Sequence, residues 1–393
     1  MSIGVVTKES TLALVVELSG EGVYTAPTSG TDYVDPLADG LEMNKSREEL
    51  TRDLLGGSVE SEASRVGVAD VAGTIPLELK ASSTEGDAPQ ALDVSLRSLL
   101  GGKRQITADQ TSSTGHTSTV INFASTSAFN IGDCVLVKEA GFFEVRPISA
   151  IVTDTSIEFP FALDNGAPSD AVVVAQCTTY YHDTANAVTM SAEHNLGSQA
   201  IKQKVSGLRA VSGSIENWSA GSIPSMSFSV QGLDIVREDA DADFAPVLTA
   251  DGLPPVALEA CFWLNGTKLS YTELGLSIEN TVSTIADACA VSGKIGSRIT
   301  EQVTTLSVNP YLDDTDLTNT WAPFNANTEV SAFFYAFNPS ATDGEFSEVV
   351  AGWLPTGRIT ETPISDVDGI VAEAVTIKAN KNLGGDSVFI SFI

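Results

Sequence analysis

Short runs that alternate apolar and polar residues dominate the chain, separated by clusters of Gly, Ser, Thr, Asn and Asp. Residues 74–80, 205–215, 225–231, 329–337 and 374–379 follow this pattern. A period of two gives a strand one apolar and one wet face, so the pattern predicts half-buried antiparallel strands. The abundance of Ser, Thr and Val suits pleated surfaces better than helices. One segment departs from this. In residues 87–102, Leu92, Leu96, Leu99 and Leu100 fall at i, i+4, i+7 and i+8, the spacing of one helix face. Asp87 is the expected N-cap, Pro89 fits the first turn and Gly101 the stop. Such a leucine stripe is a core face, and the helix is expected to lie on a sheet. A weaker helical pattern, Leu317, Trp321 and Phe324, follows the acids Asp313, Asp314 and Asp316 and is shortened by Pro323.

Two strand-then-helix units raise the question of an internal repeat. Ser64-Arg65-Val66-Gly67 opens a strand run that leads to the first helix; Ser297-Arg298-Ile299-Thr300 opens one that leads to the second. Residues 188–191 then answer 330–333, residues 207–218 answer 352–362, and 226–231 answer 374–379. The shared order, not the letters, carries the reading. It divides the chain into a first unit, residues 1–104 with 180–237, and a second, residues 257–393. Residues 238–256, rich in Asp, Ala and Pro, read as a linker. Asp239, Asp241 and Asp243 resemble the start of a calcium loop, but Phe244 stands where the sharp turn needs Gly. The first unit is interrupted by residues 105–179, with five short strand candidates at 118–122, 131–138, 142–151, 156–161 and 171–178. We read these as an inserted SH3-like or OB-like barrel.

Charge and chemistry then exclude classes of function. The 393 residues include 21 Lys and Arg against 51 Asp and Glu, a net charge of −30. A surface so anionic does not suit a protein that binds nucleic acid by neutralising phosphates. No stretch approaches the roughly 18 apolar residues of a membrane helix, and the N-terminal residues do not form a secretory signal. Cys134, Cys177, Cys261 and Cys289 have no metal-site spacing and read as reduced thiols. His116, His182 and His194 have no partner at metal spacing. No nucleophile elbow, phosphate-cradling loop or zinc-protease motif is present. No catalytic, cofactor or metal residue is therefore assigned, and none of these chemistries is expected. The many carboxylates leave a carbohydrate-active β-enzyme as an alternative.

The stretch Glu42-Met43-Asn44-Lys45-Ser46-Arg47-Glu48-Glu49-Leu50-Thr51-Arg52-Asp53, with Ser64-Arg65-Val66-Gly67 and Gly73-Thr74-Ile75-Pro76-Leu77-Glu78-Leu79-Lys80, resembles the major tail tube proteins of long, non-contractile-tailed bacteriophages. So do Val211-Ser212-Gly213-Ser214-Ile215-Glu216-Asn217 and Ala220-Gly221-Ser222-Ile223-Pro224-Ser225-Met226-Ser227-Phe228 with Gln231-Gly232-Leu233. The resemblance covers most of the chain outside the insertion. It implies a mainly β fold: two tandem tube-type sandwich or barrel domains, each with a flanking helix, plus the small inserted barrel. It implies a structural, non-enzymatic virion protein that assembles in the host cytoplasm into stacked rings of the phage tail. The partners implied are further copies of itself, a tape measure protein, a tail terminator and tail-tip proteins. DNA would pass through the lumen without specific binding, and no membrane is involved.

Three expectations follow. If each chain supplies two tube-type units, three chains fill a ring that six single-unit chains would fill. The lumen should be net negative, with Glu216, Glu301 and Glu361 as candidate wall residues, because an anionic wall repels DNA at short range. The insertion should lie outside the tube, and the loop of residues 24–41 is a candidate arm between rings. Another self-assembling virion or surface-layer protein, such as a baseplate or capsid decoration subunit, is the second reading.

Overall fold

The computed structural model describes residues 10–37, 39–52, 63–139, 142–169, 172–197, 201–239, 247–249, 253–257, 260–312, 317–337, 348–367, 369–382 and 384–393. The fold is mainly β, as the alternating runs predict. The chain opens with β1 (Thr11–Val16), β2 (Tyr33–Val34), β3 (Glu42–Leu50) and the long β4 (Arg65–Glu78). Helix α1 (Gln90–Leu99) follows and buries Leu92, Leu96 and Leu99 completely. Its cap differs from expectation. Pro89 occupies the N-cap without a side-chain bond, and the Asp87 carboxylate accepts from Gln105 instead. Gly101 does adopt a left-handed φ of 93° just past the helix. A Cβ there would meet the Asp183 carbonyl oxygen at 1.9 Å.

Strand β5 (Gly101–Ile106) leads into the insertion, which carries β6 (Gln110–Thr111), β7 (Val120–Asn122), β8 (Cys134–Glu139), β9 (Phe142–Pro147), β10 (Ala150–Val152), β11 (Ser156–Glu158) and β12 (Val173–Val174). These strands do not close into the expected barrel. They form a three-stranded sheet of β7, β10 and β11 and a four-stranded sheet of β6, β12, β8 and β9. The reason lies in what fills the space between them. Their core continues into Trp263, Phe333, Trp353 and Phe389 of the C-terminal half, so it is completed by a neighbour and not by wrapping on itself. Arg146 seals the seam. It is fully buried, paired with Glu144 and Asp164, and lies 5.0 Å from the Trp263 ring centroid.

The chain returns through β13 (Cys177–His182), β14 (Met190–Leu196), β15 (Ile201–Ser219), β16 (Ser225–Gly232) and β17 (Asp234–Asp239). The expected linker therefore begins as a strand, since β17 pairs with β15 from Ile201↔Asp239 to Ser206↔Asp234. Asp241 and Asp243 lie outside the described residues. The C-terminal half holds β18 (Cys261–Leu264), β19 (Thr267–Leu269), β20 (Tyr271–Ala286), β21 (Lys294–Pro310), β22 (Val330–Ala336), β23 (Val350–Glu361), β24 (Ile364–Val367), β25 (Ile370–Glu373), β26 (Val375–Ala379) and β27 (Phe389–Phe392). Its helical element is a wide π-type turn, Leu317–Trp321, running into the five-residue α2 (Ala322–Ala326). Asp313, Asp314 and Asp316 lie outside the described residues.

The two halves share one pairing order. In the first it runs β1, β14, β15, β16, β4, β3. In the second it runs β18, β22, β23, β26, β21, β20. The irregularities coincide too. The ladder shifts between Met190 and Ala192 and between Val330 and Ala332, and again between Ala210 and Ser212 and between Ile359 and Glu361. Register places Arg65 opposite Leu50 and its counterpart Arg298 opposite Ser283. It also moves the other matches: Met190 corresponds to Val330 and Ala210 to Ile359, displaced by two to four positions from the letter-based alignment.

Candidate assembly interface

Seven antiparallel pairings string eight strands into one curtain in the order β3, β4, β16, β15, β20, β21, β26, β23. The period-two pattern gives it two unlike faces. One face carries Met43, Ile75, Phe228, Ile215, Leu276, Leu306 and Ile377, all buried in the main core under α1. The opposite face is a lawn of small hydroxyls. One row reads Ser227, Ser214, Ser277 and Thr305 straight across four strands. Another reads Ser307, Thr376 and Glu361.

All three acidic candidates are exposed on this hydroxyl face. Glu216 stands opposite Ser225, Glu301 opposite Thr281 and Glu361 opposite Thr376. They are spread over the face and form no acid–base pair. Glu273 and Glu279 on β20 share that face, and Lys378 on β26 is a base among them. The hydroxyl rows escaped sequence reasoning because each serine is unremarkable until the ladder aligns it with the others.

The halves meet where β15 pairs with β20, from Ser212↔Glu279 through Ile215↔Leu276 to Ser219↔Glu273. On its core face this junction is buried. Ile215 is 3% exposed and Trp218 fully buried, with its ring N–H donating to the Tyr271 hydroxyl at 2.9 Å. Asn280 donates to the Leu99 carbonyl at the end of α1 at 2.8 Å and to the Ala210 carbonyl at 3.3 Å. At the rim, Glu21 reaches from the first half to the second. Its carboxylate accepts from the Ser297 amide and from Arg298, and Arg209 lies 3.4 Å away. Burial acts to raise the Glu21 pKa, but the Arg298 and Ser297 donors and the Arg209 charge outweigh it and hold the group below its ordinary value.

One outer strand of the curtain is open: among the described residues, β3 pairs only with β4. The other, β23, pairs with β22, β26 and β27, but beyond its end the chain continues as β24, which pairs only with β25 among the described residues. The segment proposed as an arm between rings, residues 24–41, is anchored to its own chain at two tyrosines. The Tyr24 and Tyr33 hydroxyls both donate to the buried Glu193 carboxylate, and β2 pairs with β1. Among the described residues, no cluster of three or more His, Cys, Asp or Glu is placed to hold a metal. Desolvation pushes the buried Cys134 thiol up to about 12, which makes it unreactive. Among the described residues no helix is long and apolar enough to cross a membrane.

A family model described as phage tail tube protein matches residues 7–379. The chain belongs to the phage tail tube protein family. It is thus a structural component of the virion tail, a protein that associates with copies of itself to form a tube. The family points to a non-enzymatic role. No curated protein matches the chain.

Proposed function

We propose that three chains close into one ring, that rings stack into the tail tube, and that the hydroxyl face of the curtain lines a lumen through which DNA is ejected. The observation that carries this reading is the curtain itself: one apolar face, one hydroxyl and acidic face, an open strand β3 at one end, and at the other the open edge of β24, which continues β23. Unpaired edges are a hazard in a monomer but a contact surface in a closed ring. The shared pairing order supports treating residues 1–104 with 180–237 and residues 257–393 as two tube-type units, joined through residues 238–256, with 105–179 inserted in the first. Two units per chain fill six positions with three chains. A wall of Ser and Thr on which Glu216, Glu273, Glu279, Glu301 and Glu361 outnumber Lys378 and Arg358 is net negative and repels DNA within a Debye length of about 8 Å. We place the insertion, which packs on Trp263, Phe333, Trp353 and Phe389 on the strand faces turned away from the main core, outside the lumen. Assembly in the host cytoplasm, with a tape measure protein, terminator and tail-tip proteins as partners, completes the reading.

Electron microscopy of the purified protein tests it. Tubes or stacked rings are expected; flat sheets or caps would favour a surface-layer or decoration role, and monomers would contradict assembly. The lumen is tested by changing Glu216, Glu301 and Glu361 together to Lys. Tubes should still form but retain duplex DNA at low salt, whereas tubes of the unchanged chain should not. Equal retention by both would contradict a wall built from this face.

A further inference from the structure

The closed junction inside the chain is a template for the open one between chains. The pairing registers equate β20 with β3, so that Leu276 corresponds to Met43 and Glu279 to Ser46. They equate β15 with β23 and its continuation β24, so that Ser212 corresponds to Glu361 and Ile215 to Ile364. Inside the chain β15 and β20 are partners, and their counterparts β24 and β3 are the two open edges.

Resting on the assembly reading above, we propose that the segment Glu361 to Ile364 of one copy takes β3 of the next copy as an added antiparallel strand. The transferred register sets Glu361 opposite Ser46, Thr362 opposite Lys45, Pro363 opposite Asn44 and Ile364 opposite Met43. Burial supports the pairing independently of register. Ile215 is 3% exposed against β20, whereas its counterpart Ile364 is 71% exposed. An isoleucine at a core position of the repeat, left in water, marks a missing neighbour. Pro363 does not block the edge. Its carbonyl accepts from the Ala374 amide at 2.9 Å, so its backbone faces the hairpin partner. Strand alternation then turns Thr362 and Ile364, which have N–H groups, toward the open side. The contact is head-to-tail, using different surfaces on the two copies, and so extends round a ring.

Cysteine trapping tests this in the full chain, with the exposed Cys289 changed to Ser. Ser46→Cys and Glu361→Cys are both exposed substitutions and would face each other across the interface. Directly opposed residues of antiparallel strands lie within disulfide range. Ser212→Cys with Glu279→Cys is the matching pair within one chain and should close an intrachain bond under the same oxidation. Mixing the Ser46→Cys and Glu361→Cys chains, assembling tubes and oxidising should give a covalent dimer on a non-reducing gel. Asn44→Cys in place of Ser46→Cys, two residues out of register, should not. A dimer formed equally well by the slipped pair, or tubes that assemble without any dimer, would overturn the pairing while leaving assembly standing. Chains that remain monomeric in the electron microscope would overturn both. As a second variant, Ile364→Asp should keep the monomer's thermal midpoint and abolish assembly; normal tubes from it would also overturn the pairing.

Discussion

Ile215 and Ile364 occupy the same position in two halves with the same strand order, yet one is sealed and the other stands in water. The difference is the neighbour. β15 has β20 beside it, while the edge of β24 opposite β25 has no partner strand among the described residues. A repeat within one chain therefore displays both states of one interface: made, where the chain supplies both sides, and unmade, where it supplies one.

The largest effect that sharpens this contrast is a charge placed at each site. Ile215→Asp buries a carboxylate among apolar groups and should cost on the order of 4–5 kcal/mol. Ile364→Asp should change monomer stability by less than about 0.5 kcal/mol. Urea denaturation of both variants checks the pair, and comparable losses would erase the distinction. Trp218→Ala should cost about 3–5 kcal/mol, through a cavity and an unpaired Tyr271 hydroxyl. Its counterpart Val367 lies on the open hairpin, where truncation to Ala should be mild by the same measurement. Next comes Asn280→Ala, which removes a donor from the Leu99 and Ala210 carbonyls and the acceptor of the Gln302 amide at a cost of about 1–3 kcal/mol. Arg47, its counterpart on β3, is exposed, and Arg47→Ala should leave the monomer's denaturation midpoint unchanged.

The smallest effect is acid sensitivity at the rim of the closed junction. The folded pKa of Glu21 is depressed, so its contribution is complete above the unfolded value of about 4.3 and fades as pH falls through the lower folded value. Glu21→Gln should therefore flatten the stability profile below pH 5. An unchanged profile would remove Glu21 from the junction's energetics.

Much of this was legible in the sequence, and the rest was hidden for physical reasons. Period-two alternation located the strands of the curtain, and the leucine stripe located α1. Arg65 and Arg298 align by letters alone and share a register position. The later strands slipped by a few residues because bulges such as those after Ala210 and Ile359 leave no mark in composition. The inserted barrel is the reading that fails. Five short strand candidates suggest closure, but Trp263, Phe333, Trp353 and Phe389, distant in sequence, complete the core of the strands that form there. Glu216, Glu301 and Glu361 were chosen as strand acids, and long-range register puts them on one face. The open edges were invisible, since no local pattern distinguishes a strand with one partner from a strand with two.

The central claim is that one chain fills two successive positions of the ring. Cryo-electron microscopy of assembled tubes, reconstructed without imposed symmetry, measures it directly. The account predicts three chains per ring, with β15–β20 junctions alternating with β24–β3 junctions and the insertion appearing three times around the outside. Six chains per ring, each occupying an equivalent position, would contradict it.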